Sequence, residues 1–346
     1  MIDADELRFS GIVGHERTID LLKGAIAGGR VAHAYIFVGP EGVGKRRTAH
    51  AFAAALLCTN LKDEACGQCL SCKKLISGNH PDFHEIFPEE TGMKVIKIKT
   101  VREEIIPAVY MAPSESEKKV FIINEADRIQ VPAVSAFLKT LEEPSLTTVF
   151  ILLTSVPQVI LRTILSRCQK VAFGALPADE LAKLLVSKRG WREDQAALAA
   201  RLSEGSVGAA LAMDENMVFT ERPRIGKMFF GLESEDPGAA LALAQELVDW
   251  PQGIENAFEM IKTFLADAVL IRAGVSRVRT INRDLADDAA AFGSRYQLKV
   301  LSAKVRSVTY AQRLIARNAS KLLTAEAMLL DVTSHRVSDF AERMPR

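Results

Sequence analysis

The run Ala34-Tyr35-Ile36-Phe37-Val38 followed by Gly39-Pro40-Glu41-Gly42-Val43-Gly44-Lys45 constrains this chain more than any other feature. Five apolar residues ending in glycine read as a buried strand feeding a turn. The G-x-x-x-x-G-K spacing lets backbone N–H groups wrap a phosphate. The Ala-rich stretch Lys45 to Leu57 then reads as a helix whose N-terminus and first lysine add positive potential. The candidate phosphate-binding residues are therefore Gly39, Gly42, Gly44 and Lys45. Further strands are predicted at Asp82 to Phe87, Val120 to Ile123, Val149 to Leu153 and Gln169 to Phe173. Helices are predicted between them at Val101 to Tyr110 and Val131 to Glu142, with an earlier one at Asp20 to Ile26. This alternation implies a mostly parallel sheet with helices on both faces.

The phosphate loop lacks the residues that efficient hydrolysis needs. A working loop follows its lysine with Ser or Thr, whose hydroxyl holds Mg²⁺. Here Arg46 and Arg47 follow, and Thr48 comes too late in the helix. Arg46 cannot ligate a metal and repels one. The segment Val120 to Asp127 has the shape of an apolar strand ending in metal-binding acids, but Asn124 stands where the ligating Asp is expected. An amide is a much weaker Mg²⁺ ligand than a carboxylate. Glu125 and Asp127 read either as water-orienting groups or as an ordinary solvated strand end. The expectation is a loop that holds phosphate, with ATP or ADP as a static ligand, and no efficient ATPase activity of its own.

Cys58, Cys66, Cys69 and Cys72 have the spacing C-x7-C-x2-C-x2-C. The first ten residues contain three acids and no apolar core of the kind a secretory signal needs, so a cytoplasmic protein is expected. Disulfides are disfavoured in that compartment, and four thiolates this close suit a tetrahedral structural Zn²⁺. Redox cysteines, an iron–sulfur cluster and ordinary buried thiols are the alternatives. His80 lies nearby but is read as a non-ligand, and Cys168 as a small buried residue. The net charge of +1, from 44 basic and 43 acidic residues among 346, argues against a highly basic nucleic-acid coat. It also disfavours reading the cysteine insert as a zinc-dependent nucleic-acid reader, although Lys73 and Lys74 follow the last cysteine.

No strand is predicted after Phe173. Helices at Asp179 to Lys188 and Asp194 to Leu202 suggest a small helical unit ending near Met213. After a loop at 232–238, helices are expected at Ala239 to Val248, Ile254 to Ala273 and Arg306 to Leu330. Lys304, Arg306, Arg313, Arg317 and Lys321 read as a solvated basic face, with contact to a partner or DNA as the alternative.

Several segments together resemble the AAA+ ATPases of the clamp-loader group. They are His33 to Pro40 with the phosphate loop, the four-Cys insert, Asn79-His80-Pro81-Asp82, Ala126-Asp127, Phe137 to Pro144 and Ser166-Arg167-Cys168. Coverage runs from about Phe9 to Met213, and Asn318 to Leu330 resembles the collar of the same subunits more weakly. The resemblance implies an α/β P-loop AAA+ domain with a parallel sheet at 1–174, carrying the zinc insert at 58–72. It further implies a small helical lid domain at 175–213 and an all-helical collar and oligomerisation domain at 214–346. It also implies a five-subunit ring that opens a sliding clamp and places it on primed DNA, with gamma/tau and delta subunits as partners. The departures at 46 and 124 favour a non-motor member. So does Gly208, which stands where the motor subunits carry an Arg that senses the γ-phosphate. Thr154 matches a sensor position, though a strand-end Thr is unremarkable by itself. Alone, Arg167 would be read as a salt-bridge former. Under the resemblance it is an arginine finger delivered in trans to the neighbouring gamma/tau site, with Ser166 and Cys168 positioning its loop.

Overall fold

The computed structural model describes residues 7–60, 63–89 and 94–335. Residues up to 190 together with 203–211 form one compact unit, and 191–202 together with the chain from 212 onward form a second.

The first unit is built on five parallel strands: β1 (Ala34–Val38), β2 (Phe83–Ile86), β3 (Lys119–Ile123), β4 (Thr148–Thr154) and β5 (Gln169–Ala172). Their order across the sheet is β2-β3-β4-β1-β5. Ile36 lies opposite Leu152 on one side and Lys170 on the other. The helices of this unit are α1 (Glu16–Ala27), α2 (Lys45–Leu57), α3 (Leu70–Ile76), α4 (Ile98–Thr100), α5 (Ile106–Tyr110), α6 (Val131–Glu142), α7 (Arg162–Leu165) and α8 (Ala178–Arg189). The chain then gives α9 (Glu193–Leu202) to the second unit and returns for most of α10 (Val207–Ala212).

Successive residues of a strand point to opposite faces, and both faces of this sheet are covered. Tyr35, Phe37, Ile122 and Ile151 pack with Phe52 of α2. Ile36, Phe121, Phe150 and Leu152 pack with Phe137 of α6 on the other face. That is why β1, β3 and β4 read as unbroken apolar runs. Each fully buried Phe here contributes roughly 1.5–3 kcal/mol. Beyond β5 the described residues contain no strand, as expected.

The helical run over 98–110 is interrupted by a π turn at Val101–Ile105, and a second π turn, Met217–Glu221, precedes α11 (Arg222–Phe230). Each ends two residues before a proline, Pro107 or Pro223. Proline lacks an N–H and its ring clashes with the carbonyl four residues back; a wider turn relieves both problems.

The second unit is a helical bundle of α9 and α11 with α12 (Pro237–Val248), α13 (Ile254–Arg272), α14 (Ala286–Ser294), α15 (Leu298–Ala316) and α16 (Lys321–Thr333). Phe229, Phe230, Phe264, Phe292 and Tyr296 interlock at its centre, with ring centroids 5.2 to 6.2 Å apart. The single helix expected at 306–330 is two. Asn318 adopts the left-handed conformation, φ 61°. The Asn318 and Ala319 amides donate to Ile315 O and Leu314 O, at 2.9 and 3.0 Å. This is a Schellman ending, with Asn in the place usually taken by Gly. Lys304 also departs from the solvated face expected for it. It is 2% exposed, donates to Ser334 O at 2.5 Å and lies 4.3 Å from the centre of the Tyr296 ring. Arg306, Arg317 and Lys321 are exposed. No helix among the described residues is long and apolar enough to cross a membrane.

Candidate functional site

The phosphate loop joins β1 to α2 and opens on a cavity of about 620 Å³. Gly42 and Gly44 have φ of 72° and 107°, values that L side chains rarely adopt. Lys45 Nζ folds back onto the loop and donates to Gly39 O at 2.6 Å and Pro40 O at 2.5 Å. Burial lowers the Lys45 pKa, while Glu41 and Asp127 favour the charged form. Gly208 lies directly against the loop: its N–H donates to Gly42 O at 2.8 Å. A Cβ added at Gly208 would sit 3.2 Å from Gly42 Cα, and one at Gly42 would sit 2.1 Å from Ser206 Oγ. Gly208 is thus held in a backbone contact with the loop.

The two departures from a metal site, Arg46 and Asn124, are joined by a residue that the sequence reading missed. Glu85 of β2 accepts from Arg46 Nε at 2.7 Å and Nη2 at 3.0 Å, from Asn124 Nδ2 at 3.0 Å, and contacts His50 Nε2 at 3.0 Å. Arg46 and His50 are four residues apart on α2, so they share a face. That spacing, set against one acid on a short strand, is the signal that could have exposed the cluster. Thr48, fully buried, turns its hydroxyl back to Gly44 O at 3.0 Å. At the strand ends, Thr154 donates to Asp127 Oδ1 at 2.7 Å, and Glu125 pairs with Arg128 at 2.5 Å.

Burial raises the Glu85 pKa, but the donors Arg46, His50 and Asn124 outweigh it and hold the carboxyl at about 2, against its ordinary 4.5. A depressed carboxyl stabilises the fold fully above its unfolded pKa and loses that contribution as pH falls toward its folded value. The contribution is on the order of 3 kcal/mol at most. Urea unfolding at pH 6 and at pH 3 should therefore show a larger loss for the wild type than for Glu85→Gln, which no longer titrates. Equal losses would contradict the assignment.

The structure brings the four cysteines together. Cys58 caps the end of α2, and Cys69 opens α3. All four Sγ atoms lie within 4.8 Å of one another, with Cys58–Cys69 at 4.0 Å and Cys66–Cys72 at 3.9 Å. Tetrahedral zinc with Zn–S bonds of about 2.3 Å places its sulfurs about 3.8 Å apart, so the donor set fits. Backbone amides point at the sulfurs: Cys69 N to Cys66 Sγ at 3.3 Å and Cys72 N to Cys69 Sγ at 3.4 Å. Burial opposes ionisation of Cys69, but the Cys72 amide and Thr59 outweigh it and bring the thiol down to about 6. His80 stays outside the set. Its Nδ1 accepts from Asp82 N at 3.1 Å, which leaves the proton on Nε2, 2.9 Å from Ser71 Oγ. Asp82, wholly buried, accepts the amides of Ser114, Glu115 and Ser116 at 2.6 to 2.9 Å. The Asn79-His80-Pro81-Asp82 segment thus has a structural role.

Arg167 follows α7 and stands apart from the residues lining the phosphate cavity. It donates from Nη1 to Thr163 O at 2.9 Å and from Nη2 to Glu142 Oε1 at 2.7 Å, with its side chain 34% exposed. Cys168 is pushed up to about 12 by burial.

The family described as "DNA polymerase III, delta subunit" matches residues 14–177, and "DNA polymerase III, delta subunit, C terminal" matches 227–333. The DNA polymerase III subunit delta' of Bacillus subtilis is 34% identical over 214 residues, 62% of this chain and 63% of that protein. The delta' subunit of Pseudomonas aeruginosa is 41% identical over 148 residues, 42% of this chain and 44% of that one. The tau subunit of Bacillus subtilis is 39% identical over 175 residues, 50% of this chain and 30% of that one. The chain thus spans less than two thirds of each of these relatives.

Proposed function

Since this chain belongs to the clamp-loader family of DNA polymerase III subunits, we propose that it is a delta-prime-type, non-motor member. On this reading it joins gamma/tau and delta subunits in a cytoplasmic hetero-oligomeric ring within the DNA polymerase III holoenzyme. Through that complex it acts on the sliding clamp and on primed DNA. Residues 1–174 serve as the AAA+ domain with a zinc-stabilised insert, 175–213 as the lid, and 214–346 as the collar.

One observation carries the non-motor reading. Arg46 and Asn124, the two residues standing where Mg²⁺ ligands are expected, share the carboxylate of Glu85. A guanidinium takes up the negative charge there, which opposes the divalent metal that phosphoryl transfer uses as a Lewis acid. Lys45 and the loop amides supply phosphate-binding groups without that metal, which suits a static ATP or ADP. Arg167 is the group this chain would lend to its neighbour. Its planar fork lies on the surface, held by one exposed carboxylate and one backbone carbonyl. Placed against the γ-phosphate of an adjoining gamma/tau subunit, it would neutralise charge developing in the transition state.

The gamma/tau-like motor is the competing reading, supported by the phosphate loop and the tau relative. Steady-state ATP hydrolysis by the purified chain, with Mg²⁺ and primed DNA, separates the two. The expected result is no turnover above background. Clear turnover abolished by Lys45→Ala would make this chain a motor.

A further inference from the structure

The second unit contains a cavity of about 410 Å³ that plays no part in the reading above. Arg192, Arg201, Arg222 and Arg283 line it, together with two acids, Asp194 and Asp284. Both acids are taken. Arg192 grips Asp194 through Nε at 3.1 Å and Nη2 at 2.8 Å. Arg222, 4% exposed, pairs with Asp284 and donates to Asn282 Oδ1 at 2.7 Å and Val218 O at 3.1 Å. Asp267 adds a negative charge near Arg201 but forms no ion pair with it. It is buried and saturated by Ile281 N at 2.9 Å, Asn282 N at 2.7 Å and Asn282 Nδ2 at 2.8 Å.

Two guanidinium groups are left over. Arg201 is half-buried and uses only its Nε, which donates to Ile281 O at 3.2 Å. Its Nη groups have no acceptor among the described residues, and among those residues Arg283 makes no hydrogen bond or ion pair. Burial lowers the Arg201 pKa and its neighbours Arg283 and Arg222 lower it further, against partial support from Asp284 and Asp267. A half-buried cation beside two others is held at an electrostatic cost that an anion would remove.

We propose that this cavity is a phosphate-binding site in which Arg201 and Arg283 hold the oxygens. Arg201 and Arg283, neither of them in an ion pair among the described residues, can both turn toward one phosphate or toward consecutive phosphodiesters. Guanidinium forks fit phosphate oxygens in a bidentate manner. The cavity exceeds the volume of a bare oxyanion, and Phe219 and Leu198 supply an apolar wall for whatever the phosphate carries. The site does not depend on the phosphate loop of the first unit.

The test uses the full chain. Inorganic phosphate should raise the melting temperature relative to chloride at equal ionic strength, and a single-stranded DNA oligonucleotide should bind in a salt-dependent way. Arg283→Gln changes an exposed side chain, so it should leave the fold intact while weakening binding about tenfold or more. Arg201→Gln should weaken it similarly. Arg224→Gln, a paired surface arginine on the same unit, should leave it unchanged, and every variant is compared in a Lys45→Ala background so that the phosphate loop contributes less to the signal. Phosphate binding lost in Arg283→Gln supports a free phosphate ligand. Oligonucleotide binding alone, lost in the same variant, supports the site with nucleic acid as the source. If neither ligand binding responds to Arg283→Gln, or if Arg224→Gln weakens it as much, the proposal is wrong.

Discussion

Arg167→Ala is expected to leave the chain folded and to slow ATP hydrolysis at the neighbouring subunit's site by roughly 10³-fold, the low end of what a finger supplied in trans contributes. The two halves of this expectation have different origins. Arg167 meets Glu142 as a part-exposed pair, 34% and 49% exposed. Such pairs contribute at most about 1 kcal/mol, so unfolding should barely move. The catalytic half rests on the proposed role alone. Single-turnover hydrolysis in a reassembled ring, with only the adjoining site competent, reads it directly. Arg167→Lys should fail nearly as badly, since a point charge replaces the planar fork. Glu142→Gln removes the resting partner and should preserve hydrolysis. Unchanged hydrolysis with Arg167→Ala would remove the finger from the account, and a loss with Glu142→Gln equal to that of Arg167→Ala would make the contact structural.

The second large effect is expected at Cys72, which is wholly buried and 3.9 Å from Cys66. The wild type should carry one zinc per chain. Cys72→Ser should lose it and lower the melting temperature by about 10 °C, since a few kcal/mol shift a domain of this size by 2–4 °C each. A strong chelator acting on the wild type should reproduce both changes. His80→Gln should retain the metal, because both imidazole nitrogens of His80 are engaged elsewhere. Full zinc content in Cys72→Ser, or its loss in His80→Gln, would refute the four-thiolate set.

The parts of this fold that were legible in the sequence share a physical reason. Strands β1, β3 and β4 are buried on both faces, so their sequences are unbroken apolar runs whose bounds came out within a residue. Edge strands β2 and β5 gave weaker signals because solvent reaches them, and β2 hid Glu85 among residues that look like ordinary strand positions. The cysteine cluster was visible because metal geometry dictates spacing along the chain. Lys304 was misread because helical charge suggests solvent, whereas tertiary packing places its amine over Tyr296. The two π turns and the break at Asn318 depend on backbone choices that periodicity does not register. The contact of Gly208 with Gly42 joins residues far apart in sequence, and no local pattern announces it.

The shared carboxylate also bears on how this subunit can change over generations. Restoring a hydroxyl at 46 alone would strip Glu85 of its bidentate partner and leave a nearly buried charge undercompensated. Restoring an acid at 124 alone would set a second carboxylate about a hydrogen bond's length from the first. Each single step toward a metal site therefore carries an electrostatic cost at Glu85. On the proposed non-motor reading, the network acts as a latch: a single substitution at 46 or 124 does not readily turn this chain into an independent motor.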